Sequence, residues 1–174
     1  MEVILFKNLV KQIVRPIKFD DNATYDLISV RRRSGGILRR GVFVGHEIKT
    51  KQMYAVQKGD FLISKMQIVH GASALVEEEF DGLIISGSYI AMRIANHRKL
   101  DVNFLNWLSK TPYFYHLAFL ASYGVHIEKM TFNLRLFLKS KFKIPEKIQE
   151  QCAIVDILKT VDNEINQLEK KSKP

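Results

Sequence analysis

Five arginines lie within ten residues of one another in the segment RRRSGGILRR. An arginine fork donates two parallel hydrogen bonds, which fits a phosphate or the O6/N7 edge of guanine. Because five such charges repel one another unless a polyanion neutralises them, the segment favours a DNA contact over a solvated loop. The Gly35-Gly36 pair predicts a turn, which would put the arginines on a loop or hairpin tip. These candidate DNA-binding residues are Arg31, Arg32, Arg33, Arg39 and Arg40.

Two further polar patches could also contact DNA. One follows the strand-like segment GDFLIS (59–64), and the other surrounds Gly124. Amide, imidazole, phenol and ammonium groups can donate to base edges or phosphates, although a structural role explains either patch equally well. The candidates are Lys65, Gln67, His70, Tyr123, His126 and Lys129.

Two catalytic chemistries have partial signatures in the sequence, and a zinc site has none. Asp26 and Glu47 could hold Mg²⁺ while Lys49 contacts a scissile phosphate, as in metal-dependent nucleases, but this pattern is short and common. The string KTPYF (110–114) lacks the second proline, and the amide or carboxylate, of an adenine methyltransferase motif. Five histidines and one cysteine show no zinc-ligand spacing. We therefore expect no catalytic residue and no metal site, with a Mg²⁺-dependent nuclease kept as an alternative.

The charge is divided unevenly along the 174 residues, whose net charge is +9. Residues 146–174 hold five lysines and six acidic residues, a net −1, so residues 1–145 carry +10. A basic domain of this kind indicates a polyanionic partner, most often nucleic acid. One cysteine allows no internal disulfide, which fits a reducing compartment. No apolar run is long enough to span a bilayer, so we expect a cytoplasmic protein without membrane contact.

Secondary-structure elements must position these candidate residues. The order of the predicted elements, with irregular strands first and helices later, indicates an α+β fold. Hydrophobic spacing and turn signals predict helices over 6–13, 100–110, 111–122 and 131–140, and strands over 23–30, 59–66 and 141–144. Asp101 and Thr111 are the expected caps of the second and third helices. Residues 73–96 predict two or three strands, broken at Asp81-Gly82 and Gly87.

The last predicted element is a long amphipathic helix over 146–171, about 39 Å in length at 1.5 Å per residue. Gln151 starts a heptad pattern whose first and fourth positions are otherwise aliphatic. The spacing predicts a coiled-coil contact with a second helix, and folding back onto the same domain is the alternative. We therefore divide the chain into domains 1–145 and 146–174. The expected helix-pairing residues are Ile154, Leu158, Val161, Ile165 and Leu168.

The segment IPEKIQEQCAIVDILKTVDNEINQLEKK resembles the signature segment of type I restriction–modification specificity (S) subunits. GDFLIS (59–64) and SGSYIAMRI (86–94) are similar to strands of the target recognition domain of that family, and SYGVHIEKMTFNLRLFLKSKFKIP to its closing loop and helix. A second proline usual in the signature is absent here. The residues that match the signature are Ile144, Pro145, Glu150, Gln151, Ile154, Leu158, Asp162 and Ile165.

The resemblance implies a non-catalytic DNA-binding subunit with an irregular mixed β-sheet target recognition domain and a coiled-coil-forming helix. It implies partners as well: double-stranded DNA with a bipartite target, an adenine-N6 methyltransferase subunit and a restriction subunit. Cofactors, namely S-adenosylmethionine and ATP with Mg²⁺, would be bound by those subunits and none by this chain. With one domain and one helix, the chain is similar to half of such a subunit, which implies either a half-length subunit that self-associates or a fragment of a longer one. A coiled-coil adaptor that does not bind DNA remains a further alternative.

Overall fold

Twelve strands and four α-helices account for most of residues 1–171, which are the residues that the computed structural model describes. The strands are β1 (Glu2–Leu5), β2 (Val10–Ile13), β3 (Thr24–Val30), β4 (Ile37–Val44), β5 (Met53–Ala55), β6 (Phe61–Ser64), β7 (Ser73–Leu75), β8 (Ile84–Ser86), β9 (Tyr89–Ile94), β10 (Ser122–Tyr123), β11 (Thr131–Phe132) and β12 (Lys141–Ile144). The helices are α1 (Val102–Leu108), α2 (Pro112–Leu120), α3 (Leu134–Phe137) and α4 (Ile148–Lys171). This order confirms the predicted α+β class.

Two four-stranded sheets form the centre of the fold. Their strand orders are β2-β9-β6-β7 and β4-β3-β8-β5. The pairs are antiparallel except that β3 meets β8 in parallel at Leu27 and Ile84, so the second sheet is mixed. Two short antiparallel pairs, β1-β12 and β10-β11, lie outside these sheets. The prediction of irregular, mixed sheets is therefore confirmed.

The central strand β6 is buried on both faces, and its side chains alternate between two cores. Phe61 and Ile63 point into a large core shared with the helices, whereas Leu62 belongs to a second core with Ile28 and Ile85 of the other sheet. This alternation is the period of two that a strand imposes. The large core includes phenylalanine rings that pack together, for example Phe6 and Phe142, whose centroids are 4.5 Å apart.

The two predicted helix caps are present. The Asp101 carboxylate accepts a hydrogen bond from the Phe104 amide at 2.9 Å and begins α1. The Thr111 hydroxyl accepts from the Phe114 amide at 3.3 Å and begins α2. Both side chains replace a carbonyl that the first turn of a helix lacks.

Two helix predictions were wrong in extent or type. Residues 6–13 form a single 3₁₀ turn, Phe6–Asn8, followed by strand β2, because β2 pairs with β9 along the edge of the first sheet. The predicted helix over 131–140 is reduced to α3, since Thr131 and Phe132 pair with β10 instead. In both places strand pairing overrides a local helical pattern.

A buried carboxylate joins the strands of the first sheet. Asp60, which precedes β6, is fully buried and accepts hydrogen bonds from Arg15 at 2.6 and 3.1 Å and from Arg93 at 2.7 Å. The amide of Gln57 donates to the same carboxylate at 2.9 Å. Because Arg15 follows β2 and Arg93 lies on β9, Asp60 links three adjacent strands. We call Asp60, Arg15 and Arg93 the Asp60 cluster.

The terminal helix α4 begins at Ile148, two residues later than predicted, and its first turns pack on the domain. Gln151, expected at a heptad position, is instead fully buried. Its side chain donates to the carbonyls of Lys99 (2.8 Å) and Pro145 (2.9 Å) and accepts from the Asp101 amide (2.9 Å). The expectation of a helix that does not pack on its own domain was therefore wrong for its first turns. Residues 172–174 of the predicted helical domain 146–174 lie outside the described residues.

The remainder of α4 is exposed. Every residue from Lys159 to Lys171 is solvent-exposed, including Val161, Ile165 and Leu168. At 100° per residue these three side chains and Ile157 form a stripe roughly a quarter turn away from the domain-facing Gln151 and Val155. Within residues 1–171, none of the helices has the length and hydropathy needed to cross a membrane.

Candidate nucleic-acid interface

The predicted arginine turn connects β3 to β4, and its backbone is fixed by a neighbouring loop. Arg33 donates its amide to the His70 carbonyl at 2.7 Å, and Ser34 donates to the Gly71 carbonyl at 3.0 Å. The Ser34 hydroxyl also forms a hydrogen bond with the Tyr115 hydroxyl. Arg33 and Ser34 both have positive φ, at 56° and 54°. The turn is therefore a docked structure that presents the exposed side chains of Arg31, Arg32 and Arg33.

The second predicted patch, residues 65–70, lies directly beneath this turn. The Lys65 ammonium donates to the Gly87 carbonyl at 2.6 Å, so it has a structural partner. Gln67 and His70 are half-buried, and among the described residues Gln67 Oε1 and His70 Nε2 are buried without a hydrogen-bond partner. Buried polar atoms of this kind are uncommon in folded proteins.

The third predicted patch is the loop of the β10–β11 hairpin. Tyr123, His126 and Lys129 are exposed, and Val125 at the tip is 96% exposed. Gly124, with φ of 157°, packs closely against Met130, and a Cβ added there would lie 2.9 Å from the Met130 Cα. The polar side chains of this loop face solvent.

These three segments meet at one acidic residue, Glu128. Its Oε2 atom lies 3.2 Å from Arg32 Nη2 and 3.5 Å from His70 Nε2. The three segments are far apart in the chain, yet they form one continuous surface. We call the arginine turn, residues 65–70 and residues 123–129 together the loop surface. Sequence reasoning missed Glu128, because a single acid among basic residues carries no signal of its own.

Arg39 and Arg40 do not belong to this turn, so their predicted position on a loop was wrong. Both lie on β4, where a long strand continues the hairpin. Arg39 forms two hydrogen bonds with Asp26 across the sheet, one of them at 3.0 Å from Nε. That hydrogen bonding, followed by the charge of the carboxylate, raises the pKa of Arg39. Arg40 lies 5.6 Å above the ring of Phe43. Their predicted role in binding DNA stays a prediction.

The residues of the nuclease alternative have other partners. Asp26 is bound by Arg39, and Glu47 accepts a hydrogen bond from the Val44 amide at 3.0 Å. Among residues 1–171, no three histidine, cysteine or acidic side chains form a group able to hold a metal ion. The carboxylates that were predicted to hold Mg²⁺ thus stabilise the β3–β4 ribbon and the 3₁₀ turn after it.

The predicted helix-pairing residues divide into two groups. Ile154 is half-buried against the core of its own domain, and Leu158 is also half-buried. Val161, Ile165 and Leu168 are exposed, at 46%, 47% and 65%. Ile157, which the heptad assignment left out, is 65% exposed and extends the same stripe. The pairing prediction therefore depends on the later residues.

The domain presents a polar, arginine-rich loop surface and a long helix whose later part is exposed. These features are typical of a recognition module, and the sequence comparison specifies its family. Residues 10–174 match the sequence model of the family described as "Type I restriction modification DNA specificity domain". The chain belongs to this family. This match confirms the predicted resemblance. A separate comparison with curated protein sequences found no match.

Solved structures show the same fold at low sequence identity. The HsdS subunit of Thermoanaerobacter tengcongensis is 14% identical with a TM-score of 0.75, covering 97% of this chain and 44% of that one. The S subunit of a type I restriction–modification system from M. genitalium is 13% identical with a TM-score of 0.62, covering 97% and 41%. A third structure, of a type I restriction–modification system described for its assembly and conformational transition, is 14% identical with a TM-score of 0.59, covering 98% and 40%. The chain spans less than half the length of each.

Membership of the family also answers the question of catalysis. Specificity domains of this family are non-catalytic, so the prediction that the chain is not an enzyme is confirmed and the nuclease alternative is wrong. What the domain contributes is recognition of DNA.

Proposed function

We propose that the loop surface binds one half of a bipartite DNA target and that α4 connects this domain to a second recognition domain. In this proposal the assembled subunit directs an adenine-N6 methyltransferase, which binds S-adenosylmethionine, and a restriction subunit, which uses ATP and Mg²⁺. Neither cofactor would be bound by this chain.

One observation carries the proposal: three loops, far apart in sequence, converge on a single exposed surface around Arg32, His70 and Glu128. Side chains that read bases must be held in a fixed arrangement, because hydrogen bonds to base edges depend on direction. The backbone hydrogen bonds from Arg33 and Ser34 to the 70–71 segment supply that rigidity. The net charge of +10 on residues 1–145 supplies attraction to phosphates.

Binding to short duplexes, measured by fluorescence anisotropy over a series of salt concentrations, tests whether the loop surface binds DNA. Replacing Arg31, Arg32 and Arg33 by alanine should weaken binding and reduce the salt slope by about one for each phosphate that is no longer neutralised. Replacing Lys159, Lys170 and Lys171, which lie on the exposed part of α4, removes the same charge and should leave both quantities unchanged. A wild-type chain that binds no duplex at low salt would instead support a coiled-coil adaptor.

The helix part of the proposal is supported by the exposed stripe of Ile157, Val161, Ile165 and Leu168. We propose that this stripe pairs with the same stripe on the helix of a second copy. Apolar side chains at this spacing exclude water when two helices pair. Light scattering at micromolar concentration should then give a dimer. Replacing Val161 and Ile165 by glutamate should give a monomer, whereas glutamates at Asn163 and Asn166, outside the stripe, should not. A monomeric wild-type chain would contradict the pairing.

The target itself can be determined by expressing the chain with a modification subunit and mapping adenine methylation in the host DNA. A methylated motif in two parts separated by a fixed spacer is the expected outcome. A continuous motif, or no new methylation, would argue against the proposed role.

A further inference from the structure

Glu128 is an acidic side chain at the centre of a surface that is otherwise basic or neutral. Arg32 contacts it from the turn that also presents Arg31 and Arg33, and His126 and Lys129 flank it on its own loop. His70 contributes a buried ring nitrogen 3.5 Å from the same oxygen that Arg32 binds. Glu128 is 60% exposed and belongs to no core cluster, so the fold does not need its carboxylate.

The ion pair between Glu128 and Arg32 holds both groups side by side without binding them tightly. Exposed pairs of this kind exchange readily for other partners, because water and salt screen them. A carboxylate at this place repels every phosphate that approaches. It therefore disfavours DNA in general, unless the bound sequence supplies a hydrogen-bond donor to it.

One base pair supplies partners for both side chains at once. In the major groove a C·G pair presents the guanine O6 and N7 acceptors next to the cytosine N4 amino donor. An arginine fork fits the guanine edge, and a glutamate accepts from the cytosine amino group. The donor Arg32 Nη2 and the acceptor Glu128 Oε2 lie 3.2 Å apart. The two side chains are therefore already adjacent, with the donor available for guanine and the acceptor for cytosine.

We propose that Glu128 is a specificity-determining residue, which together with Arg32 selects a C·G base pair and disfavours other DNA. This inference rests on the proposed DNA-binding function of the loop surface and adds a base pair to it. His70 borders Glu128 on its buried side, with its Nε2 atom 3.5 Å from the carboxylate.

The test begins by selecting duplexes from a random pool with the wild-type chain, then repeating the selection with Glu128→Gln. The variant keeps the size of the side chain but loses its charge. It should bind random-sequence duplex about 2- to 5-fold more tightly at low salt. It should also lose about 5- to 20-fold of the preference for C·G at one position of the selected motif. Arg32→Ala should weaken the preference at that same position.

A probe with N4-methylcytosine at that position provides a second measurement. In the paired base the methyl group replaces the hydrogen that faces the major groove, so the wild-type chain should lose affinity for it while Glu128→Gln changes less. Glu79→Gln, which removes an exposed acid from another turn, is the matched control and should leave the selected motif unchanged.

Two outcomes would overturn the inference. If Glu128→Gln selects the same motif with the same preference at every position, Glu128 has no role in specificity. If it weakens binding to all duplexes equally, its role is to hold the loop. Failure of the wild-type chain to enrich any sequence would overturn the proposed function, and this inference with it.

Discussion

Two clusters in this molecule place a carboxylate between two basic side chains, and they differ in nearly every other respect. In the Asp60 cluster, the carboxylate is inaccessible to solvent and accepts four hydrogen bonds. In the loop surface, Glu128 is 60% exposed, and one of its oxygens lies 3.2 Å from Arg32 and 3.5 Å from His70. The first cluster joins strands, and the second joins loops.

The difference shows how burial decides what a charged group can do. A carboxylate removed from water is stable only if its partners replace all the hydrogen bonds that water made, so Asp60 is committed to the fold. A carboxylate at the surface keeps most of its hydration, so the partners of Glu128 can be exchanged for a ligand. Similar side chains therefore serve as a structural joint in one place and as a recognition element in the other.

The largest expected effect comes from breaking the Asp60 cluster. Replacing Asp60 by alanine should lower the free energy of unfolding by about 2–4 kcal/mol, because Arg15 and Arg93 lose a carboxylate partner and the Gln57 amide loses its acceptor, while the partly exposed guanidinium groups regain some hydration. Urea denaturation of the two chains measures this. Glu128→Ala is the matched control, and its expected change of about 0–1 kcal/mol reflects an exposed pair. Similar losses in both variants would contradict this contrast between buried and exposed carboxylates.

An intermediate effect is expected at Gln151, which is buried like Asp60 but uncharged. Replacing it by alanine should cost about 1–3 kcal/mol, because the Lys99 and Pro145 carbonyls and the Asp101 amide would be buried without partners. Gln149→Ala, an exposed position on the same helix, should cost less than about 0.5 kcal/mol. Thermal unfolding followed by circular dichroism separates the two. A loss at Gln151 as large as that at Asp60 would show that burial alone, and not charge, sets the cost.

The smallest effect is expected at the exposed pair of Arg39 and Asp26. Arg39→Ala should change stability by an amount close to the error of a urea titration, and the change should vanish in high salt. An arginine is protonated at neutral pH even in the unfolded chain, and Asp26 raises the pKa of Arg39 further in the folded chain. The stability linked to this raised pKa is therefore fully present below the unfolded pKa and is lost as the pH rises through the folded pKa, in strongly alkaline solution. A loss that varies between about pH 5 and pH 9 would contradict this assignment.

Much of the framework could be predicted from local sequence. The caps at Asp101 and Thr111, the strand after Gly59-Asp60 and the hairpin signal at Gly35-Gly36 all depend on neighbours within a few residues. The helix predicted over 6–13 failed because its apolar spacing also fits a turn followed by a strand, and only pairing with β9 distinguishes the two.

The composition of the site was less predictable than its location. The arginine turn was identified, but its ion pair with Glu128 joins residues 96 positions apart, and no local pattern encodes that distance. Gln151 fits both a polar heptad position and a buried side chain that binds backbone groups. Only its three backbone hydrogen-bond partners distinguish the two. Arg39 and Arg40 were misplaced because β4 extends closer to the turn than the glycine pair suggested.

The division of α4 has a consequence for how the chain unfolds. Amide hydrogens near Ile148 to Val155 should exchange with solvent only when the whole domain opens, because Gln151 and Val155 belong to its interior. Those beyond Lys159 should exchange through local opening, since a helix of about a dozen exposed residues is marginal by itself. If dimerisation slows amide exchange in that distal part, formation of the distal helix and dimerisation are a single cooperative event.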